Sequence, residues 1–296
     1  MYHNFTDEYH SMKTICICGA GTMGSGIAQV SASAGFKTIL YDLNEEAIQK
    51  AKSKLEKDLQ ALVDKQKINS EKKQAVLDQV YFTSSTNDCV ADLIIEAVVE
   101  KIEVKVSLFN QLAQINSNET IFASNTSSLA VSEIAKHVLI PERVAGLHFF
   151  NPAPIMKLVE VVKAEQTSQE VLDKLVALTK TFGKTPVVCK DSPGFIVNRV
   201  ARPYYIEALR LVEEGISDFE TIDRLLESRG FKMGPFKLMD LIGNDVNYAV
   251  SYSVYEQLNQ PERLKPSYIQ KEKVEKGELG KKTGKGYYSL PAKTGN

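Results

Sequence analysis

From Thr14 the chain runs Thr-Ile-Cys-Ile-Cys, apolar or β-branched at every position. A short run of that kind reads as a strand buried on both faces of a parallel sheet. It passes into Gly19-Ala20-Gly21-Thr22-Met23-Gly24, after which Ile27 to Ala34 reads as a helix. The alternation then repeats. A strand over 37–41 ends at Asp42, and Asn44 caps a helix reaching about residue 67, with Ala47, Ala51 and Leu55 spaced i, i+4. A shorter helix over 71–77, strands over 80–83 and 92–97, a helix over 102–114 and a strand over 120–123 follow. Strands alternating with helices predict a parallel, doubly wound sheet.

Two further apolar runs, 143–149 and 157–162, flank Asn151-Pro152-Ala153-Pro154, and a helix over 169–182 and a strand over 186–189 complete the α/β region. After Asp191-Ser192-Pro193-Gly194 the pattern is helical from 195 to 276, without a convincing strand. The expected organisation is a Rossmann-type domain over 12–191 followed by an all-helical domain over 192–296. Residues 1–11 read as a disordered extension or an upstream start.

At 296 residues the chain is long enough for two domains with separate cores. Its 36 basic and 37 acidic residues leave a net charge of -1 and no overall field, which argues against a nucleic-acid or membrane-surface partner. The apolar run from Leu93 to Val99 is broken by Glu96 and falls short of the roughly 20 residues of a membrane helix. The first twelve residues, with Asp7, Glu8 and no Arg, fit neither a secretory nor a mitochondrial leader, so a cytoplasmic protein is expected. The four cysteines, 16, 18, 89 and 189, form no C-x-x-C pair, and Cys16 and Cys18 share one face of a strand as small apolar residues. Neither a disulfide nor a metal site is expected.

In Gly19-x-Gly21-x-x-Gly24 the first glycine permits a tight turn, the second lets the backbone N–H groups of Thr22 and Met23 approach a pyrophosphate, and the third lets helix and strand pack closely. The motif lies between a predicted strand and a predicted helix, and Asp42 ends the second strand 18 residues past Gly24. A carboxylate there accepts hydrogen bonds from the adenosine ribose and repels a 2′-phosphate, which favours NAD over NADP.

Of the four histidines, His3 and His10 lie in the extension and His137 sits among polar helix-end residues. His148 follows the strand from Val144 to Leu147 and emerges at a strand end, where ligands of such sheets bind. Read alone, a histidine beside Phe149 and Phe150 is more often a hydrogen-bonded core residue. Removing hydride from a secondary alcohol leaves a protonated ketone unless a base takes the hydroxyl proton, and histidine is the natural group for that step near neutral pH. Glu160 is an acid among Leu158, Val159, Val161 and Val162. It is either a buried carboxylate needing a partner, which His148 would supply, or a surface residue of an edge strand.

These residues fall into five motifs: Gly19 to Gly24, Ser124 to Ser128, His148-Phe-Phe-Asn-Pro152, Asp191 to Arg199, and Lys281-Lys-Thr-Gly-Lys-Gly-Tyr287. From about residue 13 to the C-terminus the chain resembles the L-3-hydroxyacyl-CoA dehydrogenases, and within them the bacterial 3-hydroxybutyryl-CoA group. The resemblance implies NAD-dependent interconversion of 3-hydroxyacyl-CoA and 3-ketoacyl-CoA, as in β-oxidation, with His148 as base, Glu160 as its orienting carboxylate, and Ser127 and Asn198 on the reacting end of the substrate. It also places Asp42, Glu100, Lys105, Ser127, Asn151 and Lys282 around the cofactor with the glycine turn. The helix after Asp42 matches a segment that touches coenzyme A, where Lys54, Lys57 and Lys65 can meet phosphates, although Asp58 and neighbouring acids interleave with them. The helical domain matches the region through which the family dimerises, so a homodimer is implied.

A non-catalytic dinucleotide-binding protein of the same superfamily is disfavoured by the presence of Ser127, His148, Glu160 and Asn198. A dehydrogenase of free β-hydroxyacids is expected to use a lysine base and to lack the His-Phe-Phe-Asn-Pro turn. The length implies a monofunctional enzyme without a fused hydratase. The stretch 198–205 also resembles members acting on 3-hydroxyadipyl-CoA, where Arg202 either meets a distal carboxylate or is a surface or interface arginine.

Overall fold

The computed structural model describes residues 12–289. The expectation of a disordered extension over 1–11 lies outside the described residues. The chain divides into two compact units, the first ending at Ser192 and the second beginning at Pro193.

The first unit is built on one eight-stranded sheet of β1 (Thr14–Cys18), β2 (Lys37–Tyr41), β3 (Val80–Thr83), β4 (Leu93–Glu96), β5 (Ile121–Ser124), β6 (Val144–Phe149), β7 (Leu158–Lys163) and β8 (Thr185–Lys190). Their spatial order is β3-β2-β1-β4-β5-β6-β7-β8, reversing direction of growth between β1 and β4. Such a reversal opens a crevice at the strands' carboxyl ends, the usual ligand position in doubly wound sheets. β1, β4 and β5 are buried at almost every residue because helices cover both faces.

The parallel expectation fails at one place. β6 and β7 pair antiparallel, so β7 and β8 run opposite to the first six strands. The reason is the connection: residues 150–157 form a loop without a helix, shorter than the crossover of about a dozen residues that a parallel return needs. The helix α6 (Gln169–Thr181) joins β7 to β8, and these pair parallel.

The helices α1 (Thr22–Ser33), α2 (Glu45–Asp64), α3 (Ser70–Asp78), α4 (Ile102–Ala113) and α5 (Val131–Ala135) complete the unit. α1 begins five residues earlier than Ile27, because the glycine turn itself forms its first turn. α2 is capped by the Asn44 side chain, which accepts from the Glu46 and Ala47 N–H groups, and buries Ile48, Ala51, Leu55 and Leu59 along one stripe. The core joins Ile15, Ile17, Ile27, Leu93, Ile95, Leu147 and Val161 with Leu175 of α6. Cys16, Cys18 and Cys89 are buried within this unit, and all four thiols are free.

The second unit consists of α7 (Val197–Glu213), α8 (Phe219–Ser228), α9 (Pro235–Ile242), α10 (Asn244–Gln257) and α11 (Tyr268–Glu275). Tyr205, Leu209, Ile222, Phe236 and Met239 form its core. Two buried aspartates organise its backbone. Asp223 accepts the Phe236 and Lys237 N–H groups at 2.9 Å each, satisfying the start of α9. Asp240 accepts the Tyr287 and Tyr288 N–H groups at 2.9 and 3.0 Å, and a Cβ on Gly286 would lie 1.9 Å from its Oδ1. Gly286 of the Lys281–Tyr287 motif is thus a glycine because its backbone approaches a buried carboxylate, whereas Gly284 stands in open space with a positive φ of 75°. No helix among the described residues is long and apolar enough to cross a membrane.

Candidate active site

His148 stands near the end of β6, and the antiparallel register sets Glu160 of β7 directly across from it. The strands pack unusually closely here, since a Cβ on Gly146 would lie 2.7 Å from the Val162 Cβ. His148 is 5% exposed and Glu160 is fully buried. The His148 Nδ1 lies 2.7 Å from Glu160 Oε2. A buried carboxylate is tolerated only with such a partner, and the pairing fixes the imidazole plane with Nε2 directed away from the acid. The ring also leans on Phe150, centroid to centroid 4.5 Å.

Two groups hold the end of β6 in place. Asn125 Oδ1 accepts the Phe149 N–H at 2.8 Å, tying the residue after His148 to the turn that leaves β5. The following loop is gripped by Lys184, whose ammonium donates to the carbonyls of Ala153, Pro154 and Met156 at 2.6, 3.2 and 2.8 Å. Burial and the nearby Lys157 charge push the Lys184 ammonium below its ordinary pKa. From the other side Gly26 of α1 lets the loop approach, as its Cβ would be 3.2 Å from that of Ala153. Asn151 is exposed on this loop.

Beside β5 lies a charge network. Lys105 of α4 is buried, with its ammonium 2.6 Å from Glu96 Oε1 and 3.0 Å from Glu100 Oε2. Glu96, fully buried at the end of β4, also accepts from Ser124 Oγ and the Val98 N–H, each at 2.7 Å. Glu100 Oε1 accepts from the Thr126 hydroxyl, the Ser127 N–H at 3.1 Å and the Ser128 hydroxyl at 3.0 Å. Burial by itself raises the Glu100 carboxyl, but the Lys105 charge and the hydrogen bonds from Thr126, Lys105 and Ser128 outweigh it and hold the group below the usual carboxylate range. Ser127, Glu100 and Lys105 therefore belong to one connected network.

The glycine turn has the form needed for a dinucleotide. A Cβ on Gly24 would sit 1.7 Å from the Gly19 carbonyl oxygen, so helix and turn close only with glycine there. Nothing lies within 4 Å of the corresponding point at Gly21, which leaves open space for a phosphate against the backbone. α1 has no side-chain cap, so the N–H groups of Thr22, Met23 and Gly24 stay available to an anion. Asp42 Oδ2 accepts the Ala20 N–H at 2.7 Å and Oδ1 the Asn44 N–H at 2.9 Å, fixing the carboxylate beside the turn. The residues present fit NAD.

On α2, Gln49, Lys50, Ser53, Lys54, Lys57 and Asp58 line an open depression. Lys54 is paired with Asp58 one turn on, and Lys65 is exposed at the helix end. The acid interleaved with these lysines thus neutralises one of them directly.

Asn198 and Lys282 belong to the second unit. Asn198 is half-buried in the first turn of α7, and Lys282 is paired with Asp245 at the start of α10. Arg202 is no surface residue: it is 3% exposed and donates within its own unit. Glu96, Asn125 and Lys184 were not singled out from sequence. Glu96 left a signal, an acid inside Leu-Ile-Ile-Glu with a lysine nine residues on. Asn125 lies inside the Ser124–Ser128 motif without showing its role, and Lys184 left no signal, because their hydrogen bonds go to backbone atoms distant in sequence.

Residues 14–192 match the family model of the 3-hydroxyacyl-CoA dehydrogenase NAD-binding domain, and residues 194–290 that of the C-terminal domain of the same family. A 3-hydroxyadipyl-CoA dehydrogenase of Escherichia coli is 47% identical over 95% of this chain, which spans 60% of that relative's length. The mitochondrial hydroxyacyl-coenzyme A dehydrogenase of Sus scrofa is 42% identical over 94% of this chain and 91% of its own. Among solved structures, an (S)-3-hydroxybutyryl-CoA dehydrogenase from Ralstonia eutropha superposes with a TM-score of 0.91 at 36% identity, covering 95% of this chain and all of that one. The chain belongs to the 3-hydroxyacyl-CoA dehydrogenase family.

Proposed function

We propose that this chain reversibly oxidises (S)-3-hydroxyacyl-CoA to 3-ketoacyl-CoA with NAD, acting on short acyl chains such as 3-hydroxybutyryl-CoA and, among carboxylated ones, 3-hydroxyadipyl-CoA. The observation that carries this reading is the buried pair of His148 and Glu160 at a strand end. His148 Nε2 accepts the proton of the C3 hydroxyl, and the electron pair of the broken O–H bond forms the ketone as the C3 hydrogen departs as hydride. Bound NAD+ supplies the hydride acceptor. Glu160 stabilises the imidazolium so formed and keeps Nδ1 protonated. The Ser127 hydroxyl and the Asn198 amide hydrogen-bond the reacting oxygen and the thioester region, and in the reverse direction they polarise the ketone together with protonated His148.

Cofactor binding is assigned to the turn of Gly19, Gly21, Thr22, Met23 and Gly24, to Asp42, and to Glu100, Lys105, Ser127, Asn151 and Lys282. Lys65, with Lys54 and Lys57, is assigned to the coenzyme A phosphates. A homodimer formed through the second unit is proposed as well, supported by the exposed apolar residues Phe231, Leu241, Ile242 and Val246 on that unit. The direct test is NADH absorbance with acetoacetyl-CoA. Loss of NADH, with NADPH consumed far more slowly, is the expected result; no turnover of any 3-ketoacyl-CoA despite NADH binding would overturn it.

A further inference from the structure

Arg202 is the one arginine in the second unit whose burial is nearly complete, at 3% exposed. Its Nε donates to the Asn198 carbonyl at 2.9 Å, and its Nη1 donates to the Asn247 carbonyl at 3.0 Å and the Ser251 hydroxyl at 2.8 Å. All three acceptors are neutral. The guanidinium also lies over the Tyr205 ring, 5.0 Å from its centroid. Among the described residues no carboxylate forms an ion pair with it, and no hydrogen bond runs from its Nη2. Burial pushes its pKa down to about 10, which leaves it charged at neutral pH.

A buried arginine without an anion is costly, because desolvation of the cation is offset here only by neutral dipoles. The hydrogen bonds to Asn247 and Ser251 tie α7 to α10, yet neutral donors would serve all three acceptors, and an uncharged side chain here would pack against the Tyr205 ring without the desolvation cost. The two N–H groups of Nη2 are the unused part of a fork suited to a carboxylate. The position matters as well. Arg202 follows Asn198 by one helical turn and holds its carbonyl, and one turn advances about 5.4 Å along the axis. That is the reach of an acyl chain with two methylene groups between the reacting C3 and a terminal carboxyl.

We infer that Arg202 is a specificity-determining residue that binds the distal carboxylate of a dicarboxylic 3-hydroxyacyl thioester, making six-carbon ω-carboxylated chains preferred over neutral chains of the same length. The inference rests on the proposed placement of Asn198 at the reacting end of the substrate. An acyl chain ending in a methyl group leaves the cation without an anion and places an apolar end beside it. A carboxylate instead completes the charge.

The test compares kcat/KM for 3-hydroxyadipyl-CoA and for 3-hydroxyhexanoyl-CoA, equal in chain length, with wild-type protein and with Arg202→Gln and Arg202→Lys. The wild type is expected to favour the carboxylated substrate by on the order of tenfold to a hundredfold, the range of a charge-assisted pair. Arg202→Gln should collapse that ratio towards one, and Arg202→Lys should retain part of it. A wild-type ratio near one overturns the inference even if neither variant folds, and so does a ratio unchanged in Arg202→Gln. Turnover of neither thioester, nor of acetoacetyl-CoA, would instead overturn the reading of the function and this inference with it.

Discussion

His148 and Glu160 are direct cross-strand partners, with Nδ1 and Oε2 2.7 Å apart in a site where the acid is fully buried. The hairpin that reverses the sheet at β6 and β7 is what brings them together. A carboxylate in this place does two things that an amide cannot: it offsets the imidazolium charge, and it fixes the tautomer with the proton on Nδ1. Glu160→Gln is therefore expected to lower kcat by about a hundredfold or more. NADH affinity, measured by fluorescence titration, should change little. An unchanged kcat would remove Glu160 from the proposed mechanism.

Glu100 links Lys105 to the Ser127 turn, and its carboxyl is held below its ordinary value of 4.5. A depressed acid contributes stability that is fully present above its unfolded value and is lost as the pH falls through the lower folded value. With its side chain 37% exposed the group is partly screened by solvent, so the effect is modest. Thermal melts of wild type and Glu100→Gln should differ at pH 7 and converge as the pH drops below 4.5. A Tm difference that stays constant with pH would contradict the linkage.

Two glycines of the turn make opposite predictions. A Cβ at Gly24 collides with the Gly19 carbonyl at 1.7 Å, so Gly24→Ala should cost about 1–3 kcal/mol of stability and weaken NADH binding with it. Gly21 has nothing within 4 Å and an ordinary φ of -69°, so Gly21→Ala should keep its Tm and lose NADH affinity by blocking the phosphate approach. Equal losses of Tm in the two variants would contradict the assignment of Gly21 to the cofactor.

Much of the α/β frame was legible because each strand is a short apolar run and each helix an amphipathic stripe. The stripe of α2, with Ala51 and Leu55 buried, is one case. The reversal at β6 and β7 was not legible, since an apolar run carries no direction and only the absence of a helix between residues 150 and 157 sets it. Glu160 was ambiguous for a related reason: whether its strand faced solvent depended on β8 lying outside it. Arg202 shows a different limit. Its spacing from Asn198 is visible in the sequence, but its burial depends on the packing of α7 against α10, which supplies Asn247 and Ser251. Glu96 is intermediate, because an acid ending an apolar strand announces a partner without saying that Lys105 is the one.

In the proposed mechanism His148 carries the proton. The most direct test of this is the rate of NADH oxidation with acetoacetyl-CoA for His148→Gln beside wild type, with NADH binding measured on both. The expected result is a fall in kcat of about 10²–10⁴-fold with NADH affinity retained. A variant that turns over acetoacetyl-CoA at the wild-type rate would contradict it.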